Sequence, residues 1–208
     1  MKNDLHQLLI PNGIYHVFSR AVGSEKLFIT EGNYLYFLQK LKQHIEGIAK
    51  VYCYSLLPNH FHILIKVNDE EAVCKKYEEV KKKPYTQLQT NLSEFMMERF
   101  GNLLNAYTKA FNKMNNRKGN LFMDTMKRNK AENDEMITAF IFYIHKNAVH
   151  HGLTSQIGEW KFDSFNSLLS NQQTELLRDE VISWFGKKED FIHFHKQSIV
   201  LKYQIDEL

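Results

Sequence analysis

The stretch that most constrains this chain is Pro58-Asn59-His60-Phe61-His62, which runs directly into Ile63-Leu64-Ile65-Lys66-Val67. So apolar and branched a run reads as a strand, and Pro58-Asn59 reads as the turn that joins it to a preceding aromatic and branched strand over residues 51–57. Side chains alternate along a strand, so His60 and His62 share one face while Phe61, Ile63, Ile65 and Val67 share the other, toward a core. Two imidazoles roughly 6–7 Å apart on one strand face can converge on a cation or a phosphate. Taken alone, they can equally be surface histidines on a half-exposed strand.

The remaining periodicities supply the rest of the fold. Residues 14–20 read as a first strand. Residues 30–47 read as a helix, with Tyr34, Phe37, Leu38, Leu41 and Ile45 at helical spacing. The charged stretch 69–83 fits either a solvated helix or a loop. A long helical pattern opens at Pro84 and runs to Met114, with Gly101 as a candidate break. A fourth strand is expected over 121–128, then a helix capped by Asn133 or Asp134 and closed by Gly152. Short helices are expected near 175–185 and 188–195. The order βαββαβα predicts an α+β, ferredoxin-like antiparallel sheet with helices on one face and a C-terminal helical extension. Residues 1–167 would form one domain and 168–208 the extension.

The helix after the fourth strand carries Tyr143-Ile144-His145-Lys146-Asn147. Tyr143 and Asn147, four apart, lie one turn from each other on one face, with Lys146 nearby. A phenol and a carboxamide can therefore reach the same small volume. Either alone is ordinary: a tyrosine here is usually core, and an asparagine here usually belongs to a helix end. His16 is expected to pack or hydrogen-bond, and His145, His150 and His151 to be solvated or to contact phosphate.

Together these motifs resemble the HUH single-tyrosine transposases of the insertion-sequence 200/605 class, and within them the REP-associated tyrosine transposases. His60-Phe61-His62 matches the family's His-hydrophobe-His motif. Tyr143 followed by Asn147-Ala148-Val149-His150-His151-Gly152 matches its tyrosine helix, with Ala148 where the family has proline. Tyr15-His16-Val17 and Arg117-Lys118-Gly119-Asn120-Leu121-Phe122 match two further segments, and Trp160 to Phe165 echoes a late one loosely. The order along the chain is preserved over roughly residues 11–167.

The resemblance implies metal-assisted cleavage of single-stranded DNA. Tyr143 would attack a phosphodiester to give a 5′-phosphotyrosine, with strand transfer to a 3′-OH following. His60, His62 and Asn147 would hold Mg2+ or Mn2+, although two imidazoles also suit zinc. It further implies DNA hairpins as partners and a homodimer, often with the tyrosine helix of one chain completing the partner's site.

Charge is consistent with this without demanding it. The net charge is only +3, but between Lys113 and Lys130 six basic residues face one acid, Asp124. Arg117, Lys118, Lys127, Arg128 and Lys146 are the candidate DNA contacts. Exposed aromatics, from a composition with 15 Phe and 10 Tyr, could stack on bases. The two cysteines, Cys53 and Cys74, are too few for a disulfide framework. No apolar run reaches the roughly 18 residues of a membrane span, and the opening residues show no secretory pattern, so a cytoplasmic setting without membrane association is expected. A domesticated hairpin DNA- or RNA-binding protein on the same fold is the alternative.

Overall fold

The computed structural model describes residues 6–88 and 90–197. Its centre is a four-stranded antiparallel sheet built from β1 (Ile14–Arg20), β2 (Ala49–Leu57), β3 (His60–Val67) and β4 (Lys127–Lys130), in the order β2-β3-β1-β4. This is the strand order of a ferredoxin-like sheet, as the periodicity predicts. Leu57 pairs with His60 across the Pro58-Asn59 turn.

Strand parity sorts the side chains. Tyr15 and Val17 of β1, with Phe61, Ile63, Ile65 and Val67 of β3, enter a first core beneath α1 (Glu31–Ile45) and α3 (Leu92–Met114). The other face carries His16, Phe18, His60, His62 and Leu64. It is covered by α4 (Asp134–His150), whose Ile137, Phe140, Ile141 and Ile144 build a second core with Tyr52, Cys53 and Leu64. A bulge makes this possible: Val51 pairs with Ile65 but Cys53 with Leu64, so Tyr52 is an extra residue. Tyr52 and Cys53 both join the second core as a result.

Several expectations are refined. Helices cover both faces, because α4 is apolar enough to bury one side of the sheet by itself. The charged 69–83 stretch is a helix, α2 (Glu70–Lys81), started by the Asp69 carboxylate accepting from the Ala72 N–H at 2.8 Å. The long helix begins at Leu92 rather than near Pro84, because Asn91 caps it through Glu94 N–H. Gly101 does not interrupt it. The fourth strand is short: Leu121 and Phe122 are buried, but residues 123–125 are exposed before β4 pairs with β1.

The short helices α5 (Phe165–Leu169), α6 (Arg178–Ser183) and α7 (Lys188–Lys196) pack on α4, contributing Phe165, Leu168, Val181 and Phe191 to the second core. The expected 168–208 extension is described only as far as residue 197; residues 198–208 lie outside the described part.

Other segments of the chain meet both sheet borders at a few points. Along β2, Leu56 N–H donates to Phe162 O, Ser164 N–H to Tyr54 O and Leu177 N–H to Val51 O. Along β4, the Arg128 guanidinium donates to the carbonyls of His6 and Gln7, and Lys130 N–H donates to Gln7 Oε1. Among the described residues no helix is long and apolar enough to cross a membrane.

Candidate active site

The sheet face beneath α4 brings together the two motifs that the sequence separates by some eighty residues. His60 and His62 project from β3 with ring centroids 5.2 Å apart. Across β1, in antiparallel register, Phe18 lies opposite His62 and Arg20 opposite His60. From above, Asn147 places its Oδ1 3.4 Å from His60 Nε2, and the Tyr143 ring meets the His62 ring edge-on at 5.4 Å. Tyr143 is half-buried, while His60, His62 and Asn147 are buried.

Hydrogen bonds fix the orientation of these groups. His60 Nδ1–H donates to Asn59 Oδ1 at 2.8 Å, and Asn147 Nδ2 donates to the Tyr143 carbonyl at 3.2 Å. In a neutral imidazole the second nitrogen is then an acceptor, and the Asn147 oxygen is one as well. His60 stays neutral at pH 7: burial pushes its pKa down to about 4, with the nearby His151 and Arg20 charges adding to the fall and Asn147 opposing it. Burial, then the neighbouring imidazoles of His16, His60 and His151, holds His62 well below the ordinary histidine value. Two lone pairs therefore face each other across 3.4 Å, an unfavourable arrangement that a shared cation relieves. The donor set thus fits a divalent ion held by His60, His62 and Asn147. Among the described residues no group of three or more His, Cys, Asp or Glu side chains forms a metal-holding cluster.

Other candidate residues are dispersed. Lys118 is exposed at the turn after α3, and Lys127 pairs with Asp124 at 3.7 Å. Arg117 pairs with Glu25 at 3.2 Å and donates to Asn112 Oδ1 and to the carbonyls of Gly119 and Asn120. Arg128 is buried against His6 and Gln7. Lys146 sits over the Phe142 ring at 5.3 Å.

Three further residues lie near the site: Arg20, which the sequence did not single out, His16, expected to pack or hydrogen-bond, and His151, expected to be solvated or to contact phosphate. Arg20 faces His60 by strand register. His151, two turns beyond Tyr143, brings its ring to 4.7 Å from that of His60. His16 Nε2 lies 2.9 Å from His62 Nδ1. The spacing of Tyr143, Asn147 and His151, four apart and four again, is the signal that marks His151. His145, expected to be solvated, is fully buried: it meets His195 Nε2 at 3.1 Å and Ser164 Oγ at 3.0 Å, because α7 covers that side of α4.

Similarity to known proteins runs through structure. A solved structure of a REP-associated tyrosine transposase bound to a REP hairpin superposes with a TM-score of 0.59, over 79% of this chain and 84% of that one, at 14% identity. The two proteins share a fold. No family model matches the sequence, and no curated protein does.

Proposed function

We propose that this protein is a single-strand DNA transposase or endonuclease with Tyr143 as its nucleophile. The observation that carries the reading is the convergence of Tyr143 and Asn147 from α4 on His60 and His62 from β3. Likeness of fold to a hairpin-bound tyrosine transposase supports it.

His60, His62 and Asn147 would hold Mg2+ or Mn2+, which when bound polarises the scissile phosphate. The Tyr143 hydroxyl gives up its proton as its oxygen bonds to phosphorus and the P–O3′ bond breaks, and the departing 3′ oxygen takes up a proton to become a 3′-OH. The product is a 5′-phosphotyrosine that retains the energy of the diester, so attack by a second 3′-OH reverses it without ATP. The sheet and α4 prepay the orientation that a weakly acidic phenol needs. Arg20, opposite His60 on β1, would meet the phosphate, with Lys118, Lys127 and Lys146 further along the DNA. Arg117 and Arg128, whose guanidinium groups engage the chain itself, would shape the walls along the DNA. Residues 1–167 would form the catalytic unit and 168–208 the extension, whose described part ends at residue 197. All four central groups come from one chain, so a homodimer would carry two complete sites.

The test is incubation with Mn2+ and labelled single-stranded oligonucleotides drawn from hairpins that flank the gene, followed by denaturing electrophoresis. A covalent adduct present in the unaltered protein and lost in Tyr143→Phe and His60→Ala is expected. An adduct surviving Tyr143→Phe would reassign the nucleophile. Tight hairpin binding with no adduct on any of these DNAs would favour the domesticated binding protein.

A further inference from the structure

His16 touches the candidate cation site without belonging to its ligand set. It lies on β1, fully buried, with Nε2 2.9 Å from Nδ1 of His62. Its ring stacks on His62 at 5.0 Å and on Phe18 at 4.9 Å, meets Phe140 at 5.2 Å, and is met edge-on by Tyr143 at 5.8 Å. Its other nitrogen, Nδ1, is buried and meets no hydrogen-bond partner. Since the contact engages Nδ1 of His62, only Nε2 of His62 remains to meet a ligand.

We propose that His16 is a positioning residue for His62, fixing its ring and dictating which of its nitrogens carries hydrogen. The inference rests on the cation site assigned above to His60, His62 and Asn147.

Each neutral imidazole carries one N–H, and the 2.9 Å contact uses one N–H from one of the two rings. In the first arrangement His16 donates from Nε2, its own Nδ1 is a bare lone pair, and His62 carries hydrogen on Nε2, offering the site a donor. In the second, His62 donates from Nδ1 and turns the Nε2 lone pair toward the site, as a cation requires, while His16 carries hydrogen on the partnerless Nδ1. A buried N–H without an acceptor is the costlier orphan, so the first arrangement is the resting one. Passing between them moves one hydrogen on each ring from Nε2 to Nδ1, and the pair holds two ring hydrogens throughout. Cation occupancy is thereby linked to the state of a residue that never touches the cation. Second-sphere partners of ligating histidines act in this way elsewhere, orienting the ring and fixing its tautomer.

The test measures Mn2+ affinity of the full chain by electron paramagnetic resonance, beside 15N NMR of the histidine rings without metal and with Mg2+. His16→Phe keeps the packing shape but leaves His62 Nδ1 without a partner, and is expected to bind Mn2+ about 10–100-fold more weakly. His16→Gln, whose amide oxygen can accept from His62, is expected to regain most of that affinity and serves where the Phe variant folds poorly. In the unaltered protein His62 should carry its ring hydrogen on Nε2 without metal and on Nδ1 with Mg2+. Affinity unchanged in His16→Phe, or a His62 hydrogen on Nδ1 in both conditions, would overturn the proposal. Loss of Mn2+ binding in His60→Ala anchors the site itself. If the unaltered protein binds no Mn2+, the cation site fails, and the metal-free spectrum still decides whether His16 donates to His62.

Discussion

His60 Nε2 and Asn147 Oδ1 lie 3.4 Å apart between β3 and α4. His60 is held by its Nδ1–H bond to Asn59, and Asn147 by its amide bond to the Tyr143 carbonyl. The relationship makes the third donor of the site adjustable. Asn147→Asp should tighten Mn2+ binding about tenfold, since hard divalent ions prefer carboxylate oxygen. Asn147→Ala should weaken it by a similar factor. Titration followed by paramagnetic relaxation of water protons reads both, and an aspartate variant that binds no better would count against a ligand at 147.

Tyr143 and His62 come from one chain, with rings 5.4 Å apart. A mixture of Tyr143→Phe and His60→Ala chains should therefore form no adduct, because neither chain holds a complete site. Adduct recovery on mixing would show that the tyrosine serves a partner's site.

Five buried imidazoles make the fold sensitive to acid. Burial holds His16 at about 3 and His60 and His195 at about 4, and holds His62 and His145 well below the ordinary value. The unfolded chain takes up protons near pH 6.5, where the folded chain does not, so stability falls as pH drops from about 6.5 toward 4. Each imidazole contributes a slope of up to about 1.4 kcal/mol per pH unit. Urea unfolding at pH 7.5, 6.5, 5.5 and 4.5 should show a steepening loss; a flat profile would mean that these rings are solvated.

Asp163 works in the opposite direction. Burial raises its pKa to about 7 against a backbone hydrogen bond from Phe165, and its Oδ2 meets no partner. The folded state holds this proton where the unfolded state has lost it, so the contribution is present below about pH 4 and is lost as pH rises through about 7. Asp163→Asn keeps the oxygen that accepts from Phe165 and removes the buried charge. Its stabilisation should grow between pH 4 and pH 7 in the same urea experiment, and an equal effect at both ends would contradict a raised pKa.

The legible parts of the candidate site were the local ones. The parity of His60 and His62 along a strand, and the four-residue step from Tyr143 to Asn147, need only the geometry of one element. The relation of His16 to His62 depends on the β1–β3 register, which joins residues 46 apart and leaves no mark in either segment. Arg20 was hidden for the same reason. His145 read as a polar residue on a helix because nothing near it announces that α7 will cover it. Arg117 and Arg128 read as free charge because counting cations does not reveal the carbonyls they will meet. The strand order followed from the sequence of elements, whereas the covering of the second face by α4 came from a packing choice that periodicity alone leaves open.

Both borders of the sheet are also met at a few points, by segments 162–164 and 176–177 along β2 and by residues 6–7 along β4. These contacts interrupt the edges onto which a neighbour's backbone could zip, so crowding should favour dispersed molecules over fibres. That protection resides in the segments flanking the core. Trimming either flank to isolate a minimal nuclease would uncover an adhesive rim, and the shortened protein would be the one that precipitates.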